Sequence, residues 1–284
     1  MTELKSDYTC FTVEIADHIA HLRFNRPDRA NSMIPEFWTE LPAAIDAISD
    51  AAEARVIVLS SEGKHFSSGM DLSVFMQGAL DANPDNPHVG AEAFTHLAAK
   101  LQNTFNALER ARQPVLVAAQ GGVIGGAVDL VTAADCRYAS EDAFFCVQET
   151  AIGMTADVGT FPRLAKVIPE GWARQMSYTA ERVSAAKAKE IGLVNEVFET
   201  PDALLEGVMA IARQIAAHSP LAVTGCKRII THARDNTTAA TLEHIAVWNA
   251  AMLRPDDLRE AFMAKSEGRA PAFDNLKKLK ASGL

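Results

Sequence analysis

The chain has 284 residues, of which 48% are hydrophobic and 22% are charged, and its formal net charge is −9. A chain of this length can bury a sizeable core, either as one large domain or as a domain with an appendage. The acidic balance argues against a general binder of nucleic acids or membrane surfaces. No apolar run approaches the ~18 residues that a transmembrane helix needs, so we expect no membrane association.

The first residues and the cysteines bear on the cellular compartment. The chain begins with neither the apolar core of a signal peptide nor the Arg- and Ser-rich composition of a transit peptide. Its four cysteines are scattered, without a Cys-x-x-Cys pair or a neighbouring histidine cluster. We therefore expect a reduced, cytoplasmic environment and no metal site.

Strand and helix patterns alternate over the first two thirds of the chain. Short apolar or alternating runs predict strands at 11–15, 19–24, 55–60, 114–120, 137–139 and 143–147. Ser32 is expected to cap a helix that continues to about residue 50, and Pro42 is expected to kink or divide it. The segment 78–90 is predicted as a surface loop, and helical periodicity covers 91–111.

The strand signal almost disappears after residue 159. Helical patterns occupy 171–179, 184–191, 202–217, 221–233, 239–252 and 256–267. This distribution predicts an α/β core over residues 1–200, followed by a helical arm over residues 201–284.

A glycine-rich turn at 121–126 runs into an apolar, helix-compatible segment that carries one acid, Asp129. Glu149 and Asp157 follow within the next thirty residues. Glycines at the mouth of a helix leave backbone N–H groups open to a ligand, and the helix dipole favours negative charge there. Carboxylates near such a mouth are candidates for moving protons on a substrate whose oxygen becomes an oxyanion.

Spacing alone leaves simpler interpretations open. Glu149 and Asp157 could be solvated loop acids, and Asp129 could be a helix cap or a buried ion-pair partner. A pair such as Gly125-Gly126 commonly marks a tight helix–strand contact. Ser68 lacks the G-x-S-x-G frame of a nucleophilic serine, so we expect its backbone rather than its hydroxyl to matter.

Four stretches taken together resemble a known family. Residues 66–72 (FSSGMDL) and 121–130 resemble the two oxyanion motifs of the enoyl-CoA hydratase/isomerase, or crotonase, superfamily. Residues 148–153 resemble its catalytic-glutamate segment, and 25–27 match its usual opening. The resemblance implies an α/β fold, the crotonase-type spiral of ββα units with a C-terminal helical arm. It also implies an acyl-CoA thioester substrate, assembly as a trimer or hexamer, and no cofactor, since coenzyme A is part of the substrate.

Within that superfamily, the acids at 129, 149 and 157 resemble those of the dienoyl-CoA isomerase branch. The resemblance implies that Glu149 takes a proton from C2 of a 3,5-dienoyl-CoA and that Asp157 supplies one at C6, as a step of fatty-acid β-oxidation. Asp129 is expected to lie beside Glu149 and to adjust its pKa.

The resemblance also assigns the groups that hold the thioester. The backbone N–H groups of Ser68 and Gly126 are expected to bind the oxyanion, and Arg29 is the preferred contact for the coenzyme A phosphates. The remaining substrate-binding positions that it implies are Gly69, Met70, Asp71, Leu72 and Gly125.

Two other functions compete with isomerisation. An enoyl-CoA hydratase would use Asp129 and Glu149 to position a water, although hydration needs no third acid. A non-catalytic acyl-CoA sensor or scaffold would retain the site without turnover, which the intact set of acids argues against.

Overall fold

The computed structural model describes residues 4, 7–71, 73–74 and 86–279. The expectation of an α/β fold is confirmed, because strands and helices alternate around two sheets. The strands are β1 (Phe11–Ala16), β2 (Ile19–Phe24), β3 (Val56–Ser61), β4 (Val115–Ala119), β5 (Gly122–Ile124), β6 (Cys136–Ser140), β7 (Phe144–Cys146), β8 (Val183–Ser184) and β9 (Glu196–Phe198).

The larger sheet has the strand order β1-β2-β3-β4-β6-β9. Its first pair is antiparallel and all its other pairs are parallel. Strand β4 is buried throughout, and β3 is buried over its first five residues. Parallel strands read as continuous apolar runs because both faces of the sheet are covered. The smaller sheet, β5-β7-β8, carries the glycine turn on its first strand.

The helices are α1 (Phe37–Ala51), α2 (Pro87–Arg110), α3 (Gly126–Ala133), α4 (Thr160–Val167), α5 (Glu170–Thr179), α6 (Ala185–Glu190), α7 (Pro201–Ala216), α8 (Pro220–Ala233), α9 (Thr238–Met252) and α10 (Pro255–Glu267). Two 3₁₀ turns, Pro27–Arg29 and Glu149–Ile152, lie in segments that the sequence marks as functional.

Pro42 lies inside α1, which continues from Phe37 to Ala51, so the expected division into two helices does not occur. A proline inside a helix leaves the carbonyl four residues earlier without its amide partner. Here that carbonyl belongs to Trp38, and it accepts a hydrogen bond from the Thr104 hydroxyl at 3.0 Å. The replacement donor comes from α2, so packing between the two helices supplies what the proline removes.

Several boundaries differ from the sequence-based prediction. Helix α1 begins at Phe37 rather than near Ser32, because the Ser32 hydroxyl donates to the Asp71 carboxylate instead of capping a helix. Helix α2 begins at Pro87, inside the predicted loop, while residues 78–85 lie outside the described part of the chain. Helix α4 and strand β9 have no counterpart among the predicted elements.

Helix α7, which the predicted arm includes, packs on the larger sheet. Its buried residues Leu204, Val208 and Ala212 share a core cluster with Val58 and Leu116. The opposite face of the sheet packs against α1, α2 and α3 in a second, larger cluster. Helices α8 to α10 follow α7 along the chain. None of the described helices is long and apolar enough to span a membrane.

Lys227 fastens α8 to the α/β core. Its ammonium donates to the Leu108 and Gln113 carbonyls at 2.6 and 2.9 Å and pairs with Asp135 at 2.9 Å. Only 5% of the Lys227 side chain is exposed. A buried ammonium with three oxygen partners stabilises only while the whole set is present.

We predict that Lys227→Met lowers the free energy of unfolding by about 3 kcal/mol or more, because it leaves buried oxygens without their donor. Urea denaturation measures this change. The matched control is Lys189→Met, whose partner Glu196 and own side chain are both nearly half exposed. That control should change stability by less than about 1 kcal/mol. Equal effects of the two substitutions would contradict the anchoring role.

Candidate active site

The site forms where two glycine-bearing segments run side by side. The Ser67 N–H donates to the Gly122 carbonyl and the Ile124 N–H donates to the Ser67 carbonyl, both at 3.1 Å. This ladder brings Gly69 so close to β5 that a Cβ on it would lie 2.5 Å from the Ile124 carbonyl oxygen and 3.0 Å from the Gly126 nitrogen. Gly69 also has a φ of +81°, so only glycine fits without strain.

The first segment leaves one backbone donor free. The Ser68 N–H donates to the Ala30 carbonyl at 2.9 Å, and the Gly69 N–H donates to the Ser67 hydroxyl at 3.1 Å. The Met70 N–H has no acceptor in the described part of the chain. The expectation that the Ser68 N–H binds an oxyanion is therefore wrong, because this donor is already consumed within the protein.

Gly126 supplies the matching donor from the second segment. It is the first residue of α3, and its N–H has no acceptor among the described residues. A Cβ on Gly126 would lie 3.6 Å from the Met70 nitrogen, so the two N–H groups are close neighbours. Two unpaired amides beside each other at a helix N-terminus form a ready acceptor site for an oxyanion.

Asp71 organises the first segment through its side chain. Its carboxylate accepts from the Ser32 hydroxyl at 2.7 Å, and from the hydroxyl and N–H of Ser73 at 2.6 and 3.0 Å. The hydrogen bonds from Ser73 and Ser32 lower the pKa of Asp71 to about 2. The Asp71 carboxylate thus joins two loops beside the glycine segment. Leu72, which the family resemblance also implies as a substrate-binding position, lies outside the described residues.

Arg29 and Lys64 lie on adjoining loops. Arg29 ends the 3₁₀ turn Pro27–Arg29, and Lys64 lies between two residues whose carbonyls accept from the Asn31 amide. Both cations are exposed, and neither has an ion-pair partner in the described chain. They are therefore available to an anionic group.

Glu149 lies directly against the glycine turn. Its Oε1 atom is 3.2 Å from the place where a Cβ on Gly125 would lie, and its Oε2 is buried without a partner in the described structure. Burial raises the pKa of Glu149, and the negative charge of Asp157 raises it further. A carboxylate with a raised pKa and an unpaired oxygen is suited to proton abstraction.

Asp129 is fully buried and caps a helix. Its Oδ1 accepts from the Thr160 N–H, the first amide of α4, at 2.5 Å. Burial, assisted by the charge of Glu149, raises the pKa of Asp129 to about 7. The capping interpretation that spacing left open is therefore correct, and Asp129 is also electrostatically coupled to Glu149.

Asp157 lies half-buried at the end of the loop after the Glu149 turn. Burial raises its pKa. Gln102 of α2 donates to the Asp157 backbone carbonyl at 2.7 Å and so fixes the loop against α2. The sequence analysis missed Gln102, because a glutamine on a helix face carries no motif.

One cavity of about 90 Å³ brings these groups together, and we call it the acyl cavity. Met70, Gly126, Glu149 and Asp157 all line it. The other described lining residues are mainly apolar: Trp38, Val74, Phe94, Leu97, Leu101, Met154 and Val158. Asp129 is not among them. Among the described residues, no group of three or more His, Cys, Asp or Glu side chains could hold a metal ion.

The enoyl-CoA hydratase/isomerase family matches residues 14–276, and the chain belongs to this family. The prediction of the crotonase superfamily is thereby confirmed, and family membership implies an acyl-CoA thioester ligand.

Two curated relatives extend the comparison. A peroxisomal Delta(3,5)-Delta(2,4)-dienoyl-CoA isomerase of Arabidopsis thaliana is 39% identical over 91% of this chain and 93% of its own length. A mitochondrial enzyme of the same name from Homo sapiens is 38% identical over 89% of this chain and 77% of its own. The predicted cytoplasmic location is contradicted, because these relatives are named as peroxisomal and mitochondrial proteins.

Solved structures share the fold. An enoyl-CoA hydratase from Bacillus anthracis superposes with a TM-score of 0.83 at 29% identity, over 93% of this chain and 99% of that one. A Thermobifida fusca protein in complex with acetoacetyl-CoA superposes with a TM-score of 0.76 at 27% identity, over 86% of this chain and 94% of its own. The crotonase-type fold is thereby confirmed.

The pKa of Asp129 predicts a pH dependence of stability. The folded protein keeps this proton up to about pH 7, whereas the unfolded chain releases it near the ordinary value of 3.8. The folded state therefore binds more protons between these limits, and stability falls as pH rises through them, with a slope of at most ~1.4 kcal/mol per pH unit. Asp129→Asn keeps an oxygen for the Thr160 N–H and removes the titration.

Urea unfolding of the wild type and the Asn variant across this pH range measures the effect. We expect the stability of the wild type relative to the variant to decrease from about pH 4 to about pH 7. Parallel curves for the two proteins would contradict the raised pKa.

Proposed function

We propose that this protein isomerises 3,5-dienoyl-CoA to 2,4-dienoyl-CoA, as a step in the β-oxidation of unsaturated fatty acids. One observation carries the proposal: two unpaired amides and two carboxylates line the same acyl cavity. The names of the two curated relatives support the same reaction.

The proposed chemistry moves a proton along a conjugated chain. The Glu149 carboxylate takes a proton from C2, and the electrons of the broken C–H bond pass through the diene onto the thioester oxygen. The protonated Asp157 then gives its proton to C6, forming the new C–H bond as the charge returns from the oxygen. Two acids at separate places remove the need for one carboxylate to travel from C2 to C6. No cofactor enters this scheme, because coenzyme A arrives with the substrate.

The oxyanion is held by the N–H groups of Met70 and Gly126. Each preorganised donor of this kind can contribute roughly 3–4 kcal/mol in the transition state. Asp129 acts on Glu149 through its buried position and coupled titration rather than through contact with the acyl chain. Gly125 contributes by leaving room for the Glu149 carboxylate.

We predict that Glu149→Gln and Asp157→Asn each lower kcat for a 3,5-dienoyl-CoA by about 100-fold or more, because each removes one proton carrier. The rise in absorbance of the conjugated 2,4-dienoyl product measures the rate. Hydration of a 2-enoyl-CoA is measured in parallel, and Asp142→Asn, which changes an exposed acid away from the cavity, is the control. Full activity of Asp157→Asn would contradict the proposal.

Enoyl-CoA hydration is the second candidate, favoured by the hydratase of similar fold. Asp157 on the acyl cavity argues against it, because hydration requires no third acid near the acyl chain. A protein that hydrates a 2-enoyl-CoA and leaves the dienoyl substrate unchanged would support the hydratase. Thermal stabilisation by acyl-CoA without turnover of either substrate would support a non-catalytic binder.

Arg29 and Lys64 are proposed to bind the phosphates of coenzyme A. They are exposed and have no ion-pair partner in the described chain, on loops next to the segment that carries Met70. Because the protein is acidic overall, local cations of this kind are needed to attract a polyanionic ligand.

We predict that Arg29→Ala raises KM for the CoA thioester by about tenfold, since a charged hydrogen bond contributes about 1.5 kcal/mol or more. The corresponding pantetheine thioester lacks the nucleotide phosphates, so its KM should stay the same. Arg174→Ala, at an exposed position of α5, serves as the control because Arg174 already pairs with Glu170. An equal rise in KM for both thioesters would contradict a phosphate contact.

The helical arm is proposed to mediate assembly into a trimer or a dimer of trimers. Three of its large apolar side chains, Ile230, Val247 and Phe262, are at least 66% exposed in the isolated chain. Burying these side chains against other copies of the chain would remove their apolar surface from water, which favours association. We predict a light-scattering mass of three or six chains, reduced to one chain by Phe262→Glu. A wild-type monomer would contradict the assembly.

A further inference from the structure

Asp157 lies between two cavities of different character. On one side is the acyl cavity of about 90 Å³, and on the other is a cavity of about 460 Å³, which we call the polar cavity. Among the described residues, only Asp157 and Val158 line both. Asp157 is thus the titratable group that the two cavities share.

Charged and amide side chains form the wall of the polar cavity. Arg163 and Arg234 pair with Glu109 at 2.8 and 2.7 Å, and Lys166 pairs with Asp235. The lining holds three cations and three acids when Asp157 is counted, so the cavity has no net positive charge for an anionic ligand while Asp157 is ionised. Its polar wall and its size instead suit several water molecules, each of which needs two to four polar partners.

Several polar side chains that can bind water line this cavity. Arg163, Lys166 and Asp235 contribute charged groups, and Gln102 and Asn106 of α2 contribute amides. Water in a protein cavity is held by two to four polar partners of this kind.

The proposed reaction creates a need for such water. Each turnover leaves the C2 proton on Glu149 and removes the acid proton from Asp157, so both acids must be reset before the next substrate. A direct return from Glu149 to Asp157 would cross the acyl cavity, so it would have to wait until the product leaves. The polar cavity borders Asp157 separately, so water there can supply a proton whether or not the acyl cavity is filled.

On the basis of the proposed isomerase function, we infer that Asp157 regains its acid proton from solvent through the polar cavity. Glu149 gives up the C2 proton separately, after the product leaves. The proton that reaches C6 is therefore a solvent proton and not the one taken from C2.

Isomerisation of an unlabelled 3,5-dienoyl-CoA in D₂O over many turnovers tests this inference. We expect deuterium at C6 in most product molecules, located by NMR and counted by mass spectrometry. Protium at C6 beyond the first turnover would show direct return between the acids and would overturn the inference while leaving the isomerase function intact. Absence of any 2,4-dienoyl product would overturn the proposed function and this inference with it.

A blocked cavity tests the route itself. Thr231 of α8 lines the polar cavity and is half-buried, so Thr231→Trp should fill the space that water occupies. We expect a lower kcat and less deuterium at C6, with an unchanged single-turnover rate because Glu149 and Asp157 are intact. The matched control, Ala233→Trp, places the same side chain on an exposed position of the same helix outside the cavity lining.

The result that would overturn the route is a Thr231→Trp protein with wild-type kcat and wild-type label at C6. Circular dichroism and thermal unfolding of both tryptophan variants establish that they fold. If Thr231→Trp does not fold, Thr231→Phe is measured in the same way, and the wild-type label still decides whether solvent is the proton source.

Discussion

The close approach of backbone at Gly69 is the constraint on which the rest of the site depends. A Cβ there would lie 2.5 Å from the Ile124 carbonyl oxygen, so the two segments run side by side only with glycine at this position. The contact holds the Met70 and Gly126 amides next to each other, and it places the Glu149 carboxylate against bare backbone at Gly125. The larger sheet and its helices support these two segments, and the segments present the unpaired backbone amides of Met70 and Gly126.

The fold could be predicted wherever local pattern agrees with tertiary environment. Continuous apolar runs at Val56–Ser61 and Val115–Ala119 identify buried strands because the sheet is covered on both faces. The three-residue strand Glu196–Phe198 has no such pattern, since its pairing with β6 and not its composition makes it a strand. Helix α4 begins where it does because Asp129, 31 residues earlier, accepts from its first amide. Such distant partners cannot be inferred from local sequence.

The acids and Gly126 could be identified in the sequence because they belong to recognisable motifs. The sequence does not show whether the Ser68 or the Met70 N–H is free to bind a ligand, because this depends on which of them already has an acceptor within the protein. The Ser68 N–H donates to the Ala30 carbonyl, and nothing in the local sequence specifies that contact. The hydrogen bond from Gln102 to the Asp157 carbonyl likewise cannot be inferred from local sequence, because the two residues are 55 positions apart.

The three acids differ in their access to water, and this difference agrees with the separate roles proposed for them. Asp129 is fully buried as a helix cap, so it can hold a proton and influence its neighbour but cannot reach an acyl chain. Glu149 faces the acyl cavity with one buried, unpaired oxygen, which suits a base that acts on carbon. Asp157 alone among them borders both cavities, which suits an acid that must be recharged. A proton shift over four bonds needs two carriers, and the carrier that donates also needs a source of protons outside the substrate.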